Sequence, residues 1–374
     1  MSSLVHMRLW GLIRKESLQI LRDPSSIAIA FVMPVVLLFL FGYGVSLDAN
    51  HIPVGIVIEQ PDRETQSLVG AFERSEFFSP QYFSVIQTAQ QALNEHQIDG
   101  IVWLRSNFSA QLLSNNEAPI GVIVNGVDSN QANITQRYIE GTWLAWLSHY
   151  VESRGQSLIM PVSIEPRVWF NTALSSRLFL VPGLIAIVMT LIGSLLTAMV
   201  VAREWERGTM EAMMVTPLRR SEILAGKLIP YFVLGMGGML FSVALAVWQF
   251  HVPLHGSFWL LMMSSALFML VALAIGLLIS IVSKNQFVAG LLAIIVTFLP
   301  AFILSGFLFD IHSMPGWIQF ITYLVPARYF VAILQTLFLA GDVWSVVLPN
   351  IGALLIMSLF YFSLVWRKFH KRLE

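Results

Sequence analysis

The sequence predicts a membrane α-helical fold: six transmembrane helices, with an α/β extracytoplasmic domain inserted between the first and the second. Three observations predict it. The 374 residues are 56% hydrophobic and only 12% charged, with a mean hydropathy of +0.71, whereas a soluble domain carries about 25% charged residues. Six stretches reach the roughly 20 apolar residues that about 30 Å of hydrocarbon requires. Between the first two of them the charge density rises and the apolar runs shorten to strand and helix length. Lys+Arg and Asp+Glu balance at 22 each, so net charge points to no nucleic-acid partner. Cysteine is absent, which excludes disulfide frameworks, thiolate metal sites and cysteine nucleophiles.

Residues 1–26 read as a cytoplasmic amphipathic interfacial helix. Arg8, Lys15 and Arg22 recur every seven residues among Leu9, Trp10, Ile13, Ile20 and Leu21, until Asp23-Pro24 turns the chain inward. The first span, 27–47, is too long for a cleaved signal peptide and is expected to stay in the membrane as a signal anchor. The other five are Leu178–Val201, Leu228–Phe250, Phe258–Ile281, Phe287–Phe309 and Trp344–Trp366, and no span interior holds Asp, Glu, Lys, Arg or His. Pro34, Pro182 and Pro300 lie inside spans, where membrane helices tolerate proline.

Residues 48–177 read as the extracytoplasmic α/β domain. Pro53–Ile58, Tyr82–Ile86, Gly100–Leu104 and Ile120–Val124 alternate as strands. Thr65–Phe78, Thr88–His96, Asn107–Asn115 and Asn130–Ser153 read as helices, so a mixed sheet is expected. Tyr138, Trp143, Trp146 and Tyr150 follow a mostly helical spacing, and the stripe is expected to pack on that sheet.

Lysine and arginine placement gives the orientation. Arg203, Arg207, Arg219, Arg220, Lys227 and Lys284 share a side with the N-terminal cations and the 367–374 tail, while the opposite short loops, 249–257 and 310–343, carry Arg328 alone. Both termini are therefore expected in the cytoplasm.

The cytoplasmic loop 202–227 is too polar for the bilayer and too short for a domain. Arg203 with Glu206, and Arg207 with Glu211, have helical ion-pair spacing. Met210, Met213 and Met214 offer an adaptable apolar face, and Thr216-Pro217 reads as a helix cap. The whole reads as a knob that docks on a soluble protein.

This stretch resembles the signature of the ABC-2 transport permeases, through Glu204, Glu206, Arg207, Gly208, Thr209, Glu211, Thr216, Pro217 and Gly226. Arg22-Asp-Pro, Leu38-Phe-Leu-Phe-Gly-Tyr-Gly and Pro326-Ala-Arg-Tyr-Phe are similar to the subgroup of bacterial drug-exporter subunits. The resemblance implies a type V exporter-like fold in a bacterial inner membrane. It implies a soluble ATPase dimer that binds ATP and Mg, a second permease that is identical or homologous, and a periplasmic membrane-fusion adaptor. Arg203, Glu204, Trp205, Glu206, Arg207, Gly208, Thr209, Glu211, Thr216 and Pro217 are then the ATPase-coupling loop. The segment 307–330, with Pro315, Pro326 and Arg328, is then a re-entrant cap on the pathway. The cargo implied is a drug-like hydrophobic or amphipathic compound, with lipid or lipid-linked glycan as the alternative.

No catalytic, cofactor or metal residue is expected in the chain itself. Gly226-Lys227 is followed by Leu228 and lacks the upstream glycine of a phosphate-binding loop. His251 and His255 flank Pro253 in a short loop rather than sharing a helix face. Charge-free spans disfavour an ion-coupled secondary transporter, which generally places ionisable groups inside its spans.

Overall fold

Polar and proline punctuation decides where the apolar runs become helices. The computed structural model describes residues 2–44, 51–95, 97–114, 120–126, 129–154, 176–210, 215–216 and 218–369. Helix α1, Ser2–Leu21, ends before Asp23. The Asp23 carboxylate caps the next helix, accepting from the Ser25 amide at 3.1 Å and the Ser26 hydroxyl at 2.9 Å, with Pro24 in the first turn. Helix α2, Pro24–Gly44, widens into a π-turn at Ala28–Val32. That turn lies just before Pro34, whose ring crowds the preceding turn and which has no N–H to offer it.

Residues Leu47–Arg167 form one compact unit. Its elements are β1 (Ile52–Ile58), α3 (Arg63–Glu73), β2 (Phe78–Phe83), α4 (Ile86–Asn94), β3 (Gly100–Leu104), α5 (Phe108–Ser114), β4 (Ile120–Val124) and α6 (Ser129–Ser153). The sheet is mixed, in the order β2-β1-β3-β4. Strand β1 runs parallel to β2 and β3, with Ile56 opposite Tyr82 and Val102, while β4 is antiparallel to β3. The period of two sends Val54, Ile56, Val102 and Leu104 to one face, against Leu68, Phe72, Phe108 and Trp146. Val57 and Ile101 go to the other, against Ala89, Ala92 and Ile98.

The aromatic residues of α6 pack on this sheet. Trp146 stacks on Tyr150 at 5.0 Å and donates its indole N–H to Ser67 at 3.0 Å. Helix α3 ends at Glu73, and β2 begins at Phe78, not at Tyr82 as the sequence pattern suggests. Phe78 is buried in register with Ile52, and Pro80 is tolerated because β2 is an edge strand.

Residues Met1–Ser46 and Val168–Glu374 form the other unit. It contains α7 (Ser176–Glu206), α8 (Arg220–Trp248), α9 (Phe258–Ser283), α10 (Gln286–Leu304), α11 (Gly316–Thr322), α12 (Pro326–Leu339) and α13 (Trp344–Lys368). Among the described residues, six helices are long and apolar enough to cross a membrane: α2, α7, α8, α9, α10 and α13. Helix α7 is the hub, with 89% of its apolar window buried against 17% for α13. It touches α2, α8, α9, α10 and α12. Within it Thr190, Ser194 and Thr197 return their hydroxyls to carbonyls one turn back, at 2.8, 2.6 and 2.6 Å, so these three hydroxyls are satisfied inside the apolar bundle. Helix α10 repeats the α2 device, with a π-turn at Ile294–Phe298 just before Pro300.

Two expected boundaries change. Helix α7 runs past Val201 to Glu206, and α8 begins at Arg220 rather than Leu228, because charged residues continue both helices once they are paired. The 310–343 segment, read as a short loop, contains α12. This helix buries Phe330, Val331, Ile333, Leu334, Leu337 and Phe338 in the core, with Phe330 stacked on Phe268 at 4.3 Å.

Candidate functional site

The end of α7 meets α1 and the start of α8 in a buried charge network. Glu204 Oε1 accepts from Lys15 Nζ at 2.7 Å and from Lys227 Nζ at 3.1 Å. Glu16 Oε1 accepts from Lys227 at 2.8 Å and from Lys15 at 3.3 Å. The Thr209 hydroxyl donates to the other Glu204 oxygen. Two cations thus alternate with two carboxylates, and Glu16, Lys227 and Glu204 are only 1%, 2% and 5% exposed. Buried charges persist where each has partners of opposite sign and hydrogen bonds to match. Partial burial works to lower the Lys15 amine, but Glu204 and Glu16 outweigh it and hold it above its ordinary value.

The network needs α1 close to α8, and Gly226 permits this. A Cβ at Gly226 would stand 2.7 Å from Leu12 Cβ, so a larger residue would push α1, and with it Glu16, away from Lys227.

A second tie lies beside the first. Arg203 Nη2 reaches Asp23 Oδ2 at 3.1 Å, joining α7 to the cap of α2. Burial opposes charge on Asp23, but the Ser25 and Ser26 hydroxyls, Arg203 and the Ser25 amide prevail and lower it to about 2. A third tie runs from Glu206, whose Oε1 accepts the Gln286 amide at 2.9 Å and so joins α7 to the first turn of α10. Trp205 lies under the Lys284 amine, 4.9 Å from its ring centre. Gly208 then takes φ +67, a left-handed turn that ends α7 where a side chain would be strained.

The expected exposed knob is therefore divided. Arg203, Glu204 and Met210 face inward, Met210 packing with Val201, Ile223, Leu277 and Val365. Arg203 pairs with Asp23 rather than Glu206. The cap of α8 is Arg219, not Thr216-Pro217, and Glu222 Oε2 accepts the Arg219 amide at 2.8 Å. Glu206, Arg207, Gly208, Thr209, Val215 and Thr216 are exposed. Glu211, Met213, Met214 and Pro217 lie outside the described residues, and so does the Arg207–Glu211 spacing.

Sequence reading missed Lys15, Glu16, Asp23 and Lys227 as members of this site. One signal was present, since Glu16 is the only acidic residue before Asp23 in an otherwise basic stretch. Lys227 stands in the sequence as one of the cations that set the orientation and as the residue after Gly226, with nothing local to mark it as buried. The spans judged free of charge now continue into helix ends that bury Arg203, Glu204 and Lys227.

At 307–339 the structure forms two helices, α11 and α12, bent by 84°. Pro315 precedes α11 and Pro326 opens α12. Arg328 holds the bend. Its guanidinium donates to the Thr322 hydroxyl, reaches the Gln319 carbonyl at 3.4 Å and covers the Tyr323 ring at 3.8 Å. A cation thus sits at the C-terminal end of α11, where carbonyls lack partners. Thr190, Ser194, Thr297, Pro300, Pro326 and Tyr361 border an interior cavity of about 180 Å³ beside this bend.

The family described as "ABC-2 family transporter protein" matches residues 24–367. The "Probable multidrug ABC transporter permease YbhS" of Escherichia coli (strain K12) is 42% identical over 98% of both chains. The "Probable multidrug ABC transporter permease YbhR" of the same organism is 28% identical over 98% of this chain and 99% of its own. The "Inner membrane transport permease YhhJ" of Escherichia coli (strain K12) is 26% identical over 86% of each chain.

Proposed function

This chain belongs to the ABC-2 transporter family, a family of transport subunits rather than enzymes, and from that premise we propose that it is the membrane-spanning half of an ATP-driven exporter. It moves a hydrophobic or amphipathic, drug-like compound out of the cytoplasm or inner leaflet. ATP is hydrolysed by a separate soluble ATPase dimer, and a second permease completes the pathway. Both termini lie in the cytoplasm of a bacterial cell, the Leu47–Arg167 unit lies outside it, and a periplasmic adaptor extends the route. The bent α11–α12 pair is the re-entrant cap.

The observation that carries this reading is the braced end of α7. The hub helix of the bundle runs unbroken to Glu206 and is tied there to α1, α2, α8 and α10 by Glu204, Arg203 and Glu206. A push on the exposed residues after Glu206 therefore reaches four elements at once. Binding of ATP need only give the motor different affinities for two arrangements of this bundle. Arg207, Gly208, Thr216 and the apolar Val215, 79% exposed, form the docking face. Arg203, Glu204, Trp205 and Glu206 transmit from behind it.

The test is co-purification with the ATPase encoded beside the permease. Arg207→Glu with Val215→Asp alters exposed positions without disturbing the network, and it is expected to abolish association and vanadate-sensitive ATPase activity of the complex. Wild type that binds no ATPase sinks the exporter reading, and ion-flux assays on the chain alone follow.

A further inference from the structure

Beside the braced end of α7 lies a cavity of about 980 Å³, bounded by α1, the start of α2, the end of α7 and Gln286. Its wall carries Arg14, Lys15, Arg22, Arg203 and Arg207 against one carboxylate, Asp23. That carboxylate is engaged by Arg203, and Lys15 is engaged by Glu204 and Glu16. Among the described residues no acidic group pairs with Arg14, Arg22 or Arg207, so three exposed guanidiniums border one concavity with their charge uncompensated. Helix self-repulsion gains nothing from that arrangement, but an anion does.

At Gln286 the cavity adjoins a second concavity of about 490 Å³, lined by Leu195, Met199, Phe287, Gly290, Leu291 and Ile294. Phe287 is 72% exposed and Leu291 45%. Glu206 stands at the junction with one oxygen held by the Gln286 amide. Helix α1 also exposes Met7, Trp10, Leu18 and Leu21 next to the cations. Tryptophan and aliphatic residues beside lysine and arginine are what the headgroup region of a bilayer accommodates. An acidic protein surface would satisfy the cations and leave the groove empty. A molecule with a charged head and an alkyl chain occupies both.

We propose that this pair of concavities is a binding site for an anionic glycerophospholipid. The phosphate lies among Arg14, Arg22 and Arg207, whose planar forks match its oxygens, and one acyl chain lies along the α7–α10 groove. Basic pockets between membrane helices take anionic headgroups by the same chemistry. The site shares Arg207 with the proposed docking face and borders both α1 and the start of α2. It does not depend on an ATPase partner.

Native mass spectrometry on the purified full chain, exchanged into mixtures of phosphatidylglycerol and phosphatidylcholine with identical chains, tests this. Wild type is expected to retain phosphatidylglycerol with at least a tenfold preference. Arg14→Gln with Arg22→Gln is expected to abolish the preference, and Arg14→Lys with Arg22→Lys to keep part of it. Gly290→Leu fills the groove, since a Cβ there stands 3.8 Å from Leu195 Cδ1 without collision, and is expected to lower retention of both lipids. Only variants that remain monodisperse with wild-type melting behaviour are scored, and the lysine pair keeps the test decisive if the glutamine pair misfolds.

Equal retention of the two lipids overturns the proposal, as does a preference that survives the glutamine pair. Displacement of the lipid by chain-free glycerol phosphate at equal concentration overturns it in favour of a free-anion site. Unchanged lipid retention with lost ATPase association assigns the cations to protein docking instead. Unchanged retention in Gly290→Leu, with loss of the permease dimer, assigns the groove to a second copy.

Discussion

Lys227 Nζ lies 2.8 Å from Glu16 Oε1 across 211 positions of sequence, and both side chains are almost wholly removed from solvent. The contact joins α1 to α8 inside a network where each charge has two partners of opposite sign. Truncating one residue leaves the other a single partner, Lys15 for Glu16 at 3.3 Å or Glu204 for Lys227 at 3.1 Å, and unbalances the network. Breaking a buried pair typically costs up to about 3–5 kcal/mol, whereas replacing both members with apolar groups is often nearly neutral. Glu16→Leu and Lys227→Met are each therefore expected to lower stability strongly, and the two together to do so less than either single change. A double-mutant cycle of thermal unfolding in detergent reads this coupling. Additive losses would show that the pair does no joint work.

Asp23 combines a helix cap with an ion pair to Arg203. Its pKa is lowered to about 2 from an ordinary 3.8, so the folded state holds the proton less tightly than the unfolded chain. The contribution is then complete above the unfolded value and is lost as pH falls through the folded one. Asp23→Asn is expected to destabilise by an amount that is constant from pH 8 to about 5 and shrinks below about 4. Melting curves of both proteins across that range check it, and a gap that closes near neutral pH would contradict the assignment.

The 84° bend between α11 and α12 depends on Arg328. Lysine lacks the fork that serves Thr322 and Gln319 together. Arg328→Ala and Arg328→Lys are both expected to broaden the distance between spin labels placed at Trp317 and Ala332. The chain has no cysteine of its own, so labels go only where they are introduced. Transport is expected to fall at least tenfold while ATPase association stays intact. A narrow, unchanged distance distribution would remove Arg328 from this role.

In the sheet unit Asp62 and Thr65 cap α3 reciprocally, with the Thr65 amide at 2.9 Å from the Asp62 carboxylate and the Asp62 amide at 2.9 Å from the Thr65 hydroxyl. Loss of such a cap costs about 1 kcal/mol. Asp62→Ala is expected to speed hydrogen exchange in the first turn of α3 by roughly fivefold in the full chain. The β1 and β3 amides, held on both sides by neighbouring strands, are expected to exchange at their wild-type rates.

Several features were legible because they are local. Pro24, Pro315 and Pro326 mark helix starts through their fixed φ. Alternation in 100–104 and 120–124 placed β3 and β4 to the residue. The six long apolar helices were legible because hydrocarbon thickness sets a length that few other structures demand. Gly208 was recognisable as part of a signature, but only its φ of +67 shows why glycine stands there.

Residue order alone decides which segments are apolar enough to leave water, and where the backbone must stop or turn. It could not say which charges are surface and which are interior. By pattern alone Arg203 and Glu204 belong to an exposed docking knob, because hydropathy treats each charge as a cost wherever it falls. The tertiary structure reversed that by bringing Asp23, Lys15 and Lys227 to them. The energy of a buried ion depends on partners within a few ångströms, and those partners are distant in the chain.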